Sequence, residues 1–296
     1  MAISHEFDYA RPGSLREVTK LLVKHGPGAS ILAGGTDLVA WLRDGLVRPE
    51  FLIDIKGIPD LGEITCKGKT LLIGARVTFS DVLDSAVVRE RFPLVCEMAG
   101  RVGSPGIRNR ATLVGNICSA VPSCDAGPVL LVYEALVKIA GPHGKRSIRI
   151  DDWFIGPGKT ALTEGEIVTG IALSHPTRRH GGSFVKLGRY QGEDLAQASV
   201  AIMALTGKNY RVAFGAVAPT PLRARKIEAA LSGKTLDGSL IGEAKNLVSS
   251  EISPITDIRA TKEYRTHMVS IMLERGIRAA ASRLQGKGPA YGADLI

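Results

Sequence analysis

At 296 residues, 45% of them hydrophobic, the chain is long enough for two or three compact units with real cores, which excludes a disordered polypeptide. A formal net charge of +9 leaves nucleic-acid binding open on charge alone. Yet Lys and Arg alternate with acids, as in Arg16-Glu17, Arg89-Glu90-Arg91 and Glu274-Arg275, and aromatic residues make up only 5%, so nucleic acid is not an expected partner.

In chain order, Ser14-Leu15-Arg16-Glu17 reads as a capping box that opens a helix over 15–24, with Leu15, Val18, Leu21 and Leu22 on one apolar face. Residues 30–33 read as a short strand, 37–44 as a short helix and 51–55 as a buried strand, giving a small α/β unit over 1–57. Residues 63–66 and 70–74 flank Lys67-Gly68-Lys69 as a hairpin, and helical patterns follow at 80–84 and 93–102. A buried helix over 128–136 precedes a second hairpin, 137–140 and 147–150, around Gly141-Pro142-His143-Gly144, so 58–176 reads as an antiparallel sheet with helices packed on it. Residues 176–182 read as a polar, glycine-rich linker. Strands at 183–187, 199–205 and 210–217, then helices at 221–231, 240–248 and 258–284, make a third unit over 182–285. Residues 286–296 form a polar tail without periodicity.

Several motif matches fail on spacing. Gly156-Pro157-Gly158-Lys159-Thr160 ends like a phosphate-binding P-loop, but Trp153 stands where its first glycine belongs. Gly26-Pro27-Gly28 has Ile31 in place of the third glycine of a dinucleotide fingerprint, and Gly144-Lys145 is followed by Arg146 instead of Ser or Thr. Cys66, Cys96, Cys118 and Cys124 include no C-x-x-C pair and the six histidines no H-E-x-x-H, so no standard zinc or iron–sulfur site is expected. Met1 to Glu6 lacks a basic start and an apolar core. The most apolar internal stretch, 129–140, is short and broken by Glu134, so no membrane span and a cytoplasmic location with reduced thiols are expected.

Two glycine-centred segments carry the chemistry. Leu32-Ala33-Gly34-Gly35-Thr36-Asp37 lies between a strand and a helix, the order that lets backbone N–H groups face an anion at close range. Its plain alternative is a tight turn capped by Asp37, whose charge would itself repel a phosphate. Ala111-Thr112-Leu113-Val114-Gly115-Asn116-Ile117-Cys118 offers a hydroxyl, an open backbone position and a side-chain amide, and Asp125 beyond it can accept from ribose hydroxyls. Its plain alternative is a polar loop between helices. Together the segments read as two halves of a phosphate cradle for a nucleotide cofactor.

Ala33-Gly34-Gly35-Thr36-Asp37, Ile107-Arg108-Asn109 with Thr112 to Asn116, Phe184-Val185-Lys186 through Asp194-Leu195-Ala196, and Ala218-Pro219-Thr220-Pro221-Leu222-Arg223 resemble the flavin subunit of molybdenum hydroxylases. Phe154-Ile155-Gly156-Pro157-Gly158-Lys159 and Arg259-Ala260-Thr261-Lys262-Glu263-Tyr264-Arg265 lean toward xanthine dehydrogenase, with carbon monoxide dehydrogenase also similar. The resemblance implies an α+β architecture: a two-subdomain FAD-binding fold of the vanillyl-alcohol-oxidase (PCMH) type, then a C-terminal domain of a three-stranded antiparallel sheet and a three-helix bundle. It implies that Ile31, Leu32, Ala33, Gly34, Gly35, Thr36, Asp37 and Leu38 wrap the pyrophosphate, that Thr112, Gly115 and Asn116 complete the cradle, and that Asp125 holds the ribose region. Val102 would pack near the cofactor, Val168 and Lys186 would approach the flavin end, and Leu195 would lie over the isoalloxazine ring.

Without the resemblance, Lys186 reads as an ordinary outward strand residue, and Asp194 as a cap or a partner of Arg189. One departure stands out: the family usually has a glycine where this chain has Val114, so the backbone there is expected to stay extended or the pyrophosphate to sit differently. The implied function is electron transfer, with FAD the sole redox group of this chain. Molybdopterin in a large partner subunit and 2Fe-2S clusters in a small one would feed electrons to FAD, which passes them to NAD or another acceptor. The rivals are a stand-alone flavin-dependent oxidoreductase and a scaffold that has lost FAD.

Overall fold

The computed structural model describes Ile3, residues 5–190 and residues 194–296. Part of the N-terminal stretch read for a leader, and 191–193 within the segment from Phe184 to Ala196, lie outside the described residues.

The first unit is built on β1 (Asp8–Ala10), α1 (Leu15–His25), β2 (Ala29–Leu32), α2 (Leu38–Arg43) and β3 (Phe51–Asp54). Its strands form a parallel sheet in the order β1-β3-β2. Ser14 caps α1 by accepting from the Glu17 amide at 3.3 Å, while the Glu17 carboxylate reaches back to the Gly13 amide at 2.9 Å, one residue before the expected Ser14. Val18 and Leu22 then face the sheet. Strand β1 is three residues without apolar alternation and is defined by its pairing with β3 alone.

The second unit holds β4 (Ile64–Lys67), β5 (Thr70–Gly74), α3 (Phe79–Asp84), α4 (Ala86–Arg91), α5 (Pro93–Gly100), α6 (Pro105–Arg108), α7 (Leu113–Cys118), α8 (Ala126–Val132), β6 (Leu136–Gly141) and β7 (Gly144–Arg149). The hairpin β8 (Phe154–Gly156) and β9 (Lys159–Thr160) follows, and β10 (Ile167–Ser174) completes a five-stranded antiparallel sheet, β4-β5-β10-β6-β7. Sequence reading missed β10, the central strand, because Thr169-Gly170 and a bulge between Val168 and Gly170 interrupt its apolar run. Helix α8 is shorter than the expected 128–136: Glu134 takes φ +54°, which ends the helix and turns the chain into β6.

The third unit pairs β11 (His180–Leu187), β12 (Ala198–Leu205), β13 (Asn209–Gly215) and β14 (Leu222–Arg223) antiparallel in that order, with α9 (Arg225–Leu231), α10 (Gly238–Leu247) and α11 (Lys262–Leu284). The expected three-stranded sheet thus has a fourth, two-residue strand, and Pro221 and Leu222 precede the first helix instead of starting it. Gly181 and Gly182, read as linker, belong to β11. A Cβ on Gly181 would lie 2.3 Å from the Leu284 nitrogen and 2.4 Å from the Ala280 oxygen, so glycine here lets α11 lie directly on the strand.

The main core spans the first two units and takes in Phe184, Ala201, Met203, Leu205 and Ala213 from the third sheet; a second core lies between that sheet and α9, α10 and α11. Residues 286–296 carry no regular element but are pinned across the seam. Arg283 donates to the Pro289 and Ala290 carbonyls at 2.9 and 2.8 Å, Gly292 donates to Glu97 at 3.0 Å, and Tyr291 accepts from the Gly182 amide at 3.0 Å. Glu97 on α5 and Arg283 on α11, both buried, form a two-pronged ion pair at 2.8 and 3.0 Å.

Candidate functional site

A cavity of about 540 Å³ opens where the three units meet. Every residue expected to touch the cofactor lines it except Leu32, whose side chain lies beneath Gly35.

The first wall is the loop from β2 to α2. Gly35 has φ +78°, and a Cβ on Gly34 would fall 2.0 Å from the Arg110 carbonyl oxygen and 3.1 Å from the Ala111 Cα. The two glycine segments, distant in sequence, are therefore in backbone contact. Helix α2 starts with Val39 N donating to the Gly35 oxygen and Trp41 N to the Asp37 oxygen, both at 2.9 Å. Among the described residues, nothing accepts from the backbone N–H groups of residues 34–38, so five consecutive amides are left without a partner in a loop that lines the cavity. Asp54 steadies the loop's base, accepting from Tyr9 Oη at 2.6 Å and from the Lys56 amide at 2.9 Å while pairing with Lys56 Nζ at 2.8 Å. Burial alone would raise its carboxyl, but the hydrogen bonds from Lys56 and Tyr9 outweigh that and hold it below the usual range.

The second wall is the segment leading into α7. Thr112 is pinned by a bridge to Thr78 and caps α7, its Oγ1 accepting from Gly115 N at 2.9 Å. Asn116 Oδ1 accepts from Ala126 N at 3.0 Å, tying α7 to α8. These polar groups therefore build the helix as well as face the cavity. Val114 is neither extended nor left-handed: it occupies the first turn of α7, nearly buried, so a β-branched residue fits without strain. Asp37 also departs from expectation. It sits at the α2 N-cap yet makes no capping bond, and its carboxylate accepts instead from Ser119 Oγ at the end of α7.

The third unit supplies the remaining wall. Lys186 on β11 points inward, nearly buried, and pairs with Asp125 at 2.7 Å while donating to the Arg101 carbonyl at 2.9 Å, which overturns the outward reading. Burial pushes the Asp125 carboxyl up, only partly offset by the lysine, and its Oδ1 is buried with no partner among the described residues. Asp194 pairs with Arg189, accepting from its amide at 2.5 Å and its Nε at 3.3 Å. Val102 and Val168 are buried, whereas Leu195 is 49% exposed at the rim.

Sequence reasoning missed Trp41, Ile107, Ser119 and Glu166, which also line the cavity. Trp41 had a usable signal, since it stands one turn from Asp37 on the same helix face. Cys118 and Cys124 line it too, with burial pushing each thiol up to about 12, so neither is a thiolate nucleophile at neutral pH. Hydrogen bonds from Arg146 hold Glu166 down to about 2. Apolar walls, a strip of open amides and an orphaned buried acceptor fit a ligand that combines flat rings, an anionic diphosphate and hydroxyl or ring N–H donors.

Residues 5–176 match the family described as the FAD binding domain in molybdopterin dehydrogenase, and residues 183–280 match the CO dehydrogenase flavoprotein C-terminal domain. The chain belongs to the FAD-binding medium subunits of the molybdenum hydroxylase family. As a medium subunit it is 32% identical to the carbon monoxide dehydrogenase medium chain of Hydrogenophaga pseudoflava, over 95% of this chain and 99% of that one. It is 31% identical to the xanthine dehydrogenase FAD-binding subunit of Escherichia coli O157:H7, with the same coverage. Its fold superposes on carbon monoxide dehydrogenase from H. pseudoflava with a TM-score of 0.92, at 34% identity, covering 95% and 99% of the two chains. For quinoline 2-oxidoreductase from Pseudomonas putida 86 the TM-score is 0.89, at 28% identity, covering 97% and 99%. The medium subunit thus has a mixed α/β FAD-binding domain followed by a C-terminal flavoprotein domain, and among the described residues no helix is long and apolar enough to cross a membrane.

Proposed function

We propose that this medium subunit holds FAD in the cavity and relays electrons from 2Fe-2S clusters of a small partner subunit to NAD or another acceptor, with molybdopterin in a large partner subunit. The observation that carries the reading is the backbone contact between the two glycine segments, with the unpartnered amides of residues 34–38 and the orphaned Asp125 oxygen in the lining of one cavity. When bound, the flavin takes up electrons and can return a hydride to a nicotinamide.

The chain's own residues bind, orient and exclude water. The amides of residues 34–38 receive the diphosphate, while Ile31, Val102 and Val168 supply apolar wall. Asp125 Oδ1 accepts from a cofactor hydroxyl or ring N–H, and Lys186 pairs with that carboxylate and opposes the upward push of its burial. Leu195, half-exposed at the rim, covers one face of the ring system. No side chain has to move a proton on a substrate carbon.

The test is purification and desalting, a visible spectrum, then reduction assays with and without the partner subunits. The reading expects a flavin spectrum, NADH:dye activity at most from this chain alone, and substrate-dependent reduction only in the assembled complex. A colourless protein that takes up no added FAD, or direct turnover of a small substrate by this chain, would refute it.

A further inference from the structure

An aspartate at a helix N-cap ordinarily turns its carboxylate onto its own helix, accepting from the amide two or three residues ahead. This chain does so elsewhere: Asp237 accepts from Leu240 N at 2.8 Å at the start of α10, and Thr78 and Thr261 act alike on α3 and α11. Asp37 differs from them in its backbone: φ −91° and ψ −51° are helical, where Asp237, Thr78 and Thr261 are extended, so its carboxylate is not turned onto its own helix. It immediately precedes α2, makes no capping bond, and its carboxylate takes the hydroxyl of Ser119 at the end of α7.

Ser119 Oγ has one proton and two acceptors in reach, the Asp37 carboxylate and the Gly115 carbonyl at 3.1 Å, the usual back-bond of a serine leaving a helix. The ionised acceptor is the stronger, so the proton goes to Asp37. The consequence reaches the amides. Without the hydroxyl, the Asp37 carboxylate is left on a loop whose own backbone N–H groups, at residues 34–38, have no partner among the described residues. A carboxylate seated there would place a full negative charge against the strip of open amides at residues 34–38 and compete with any anion for them.

We infer that Ser119 is a positioning residue that holds the Asp37 carboxylate on the second loop and so keeps the first loop's amides available to the FAD diphosphate. The inference rests on the FAD reading above. The buried, unpartnered Asp125 Oδ1 in the same cavity independently marks it as a place where a ligand completes the hydrogen bonding. The arrangement also reconciles an acidic residue inside the glycine loop with an anion-binding role for that loop.

The experiment titrates FAD into the full-length apoprotein, following flavin and tryptophan fluorescence, for wild type, Ser119→Ala, Ser119→Thr and the double variant Asp37→Ala/Ser119→Ala. Ser119→Ala is expected to weaken FAD binding about tenfold, the equilibrium equivalent of one helix cap. Ser119→Thr keeps the hydroxyl and is expected within about twofold of wild type on the same scale. The double variant is expected to bind several-fold more tightly than Ser119→Ala, because the displaced carboxylate is gone. Thermal unfolding of the apoproteins separates folding from binding: loss of one side-chain hydrogen bond is expected to lower the Ser119→Ala midpoint by only about 2–4 °C, with the protein folded where FAD is titrated. A double variant as weak as Ser119→Ala, or a Ser119→Ala variant that binds like wild type, overturns this proposal alone. Wild-type protein that takes up no FAD overturns it together with the function on which it rests.

Discussion

Replacing Gly34 with alanine probes the contact on which the cavity depends. Its new Cβ would lie 2.0 Å from the Arg110 oxygen and 2.8 Å from the Arg110 carbon, both backbone atoms that cannot rotate away. An ordinary carbon–oxygen approach is about 3.3 Å, so one segment must retreat by roughly 1.3 Å. Overpacking of this kind costs about 1–3 kcal/mol, and a rigid obstacle puts Gly34→Ala near the upper figure. A wall that has moved by about 1 Å loses hydrogen-bond reach, and losing two bonds to a charged diphosphate at about 1.5 kcal/mol each is on the order of 100-fold in affinity, the same size of effect. The assay is FAD titration of the apoprotein by fluorescence, paired with urea unfolding. Gly242→Ala in α10 is the control, since nothing lies within 4 Å of its added Cβ; it is expected to leave FAD affinity unchanged and to stabilise the helix by up to about 1 kcal/mol. Gly34→Ala protein with wild-type affinity and wild-type stability would show that the two segments do not meet as described.

Lys186→Met strands the buried Asp125 carboxyl; urea unfolding is expected to show a loss of about 3–5 kcal/mol, and Asp125→Asn added to it should recover part of that loss. Arg283→Met leaves Glu97 buried and unpaired, so a similar loss of about 3–5 kcal/mol is expected, with the 286–296 segment becoming open to carboxypeptidase digestion; a tail that stays protected would contradict the docking described. Glu166 is held down to about 2 by Arg146, against an ordinary value near 4.5. A depressed carboxyl contributes its stability fully above its unfolded pKa and loses it as pH falls toward the folded one. Wild type should therefore lose stability from about pH 4.5 toward pH 2 more steeply than Glu166→Gln, and parallel curves for the two would refute the assignment.

Local chemistry was readable wherever neighbours in sequence do the work. The Ser14 cap, the hairpin at Lys67-Gly68-Lys69 and the strand, glycine and helix order around Gly34 all depend on residues a few positions apart. What sequence did not disclose depends on distant partners. Strand β10 has a bulge where apolar alternation should run, and β14 is two residues fixed only by pairing with β13. The direction of Lys186 is set by Asp125 and the Arg101 carbonyl, and that of the Asp37 carboxylate by Ser119; none of these partners is a sequence neighbour. Val114 looked like an obstacle because its backbone was expected outside a helix, where a β-branched residue is costly in left-handed geometry. Inside the first turn of α7 no such cost arises.

The most direct test is a diffraction structure of the FAD-loaded protein. Diphosphate oxygens within hydrogen-bond distance of the amides of residues 34–38, with a cofactor donor on Asp125 Oδ1, are the expected result. FAD bound outside this cavity, or a diphosphate on other groups with those amides still open, would contradict it.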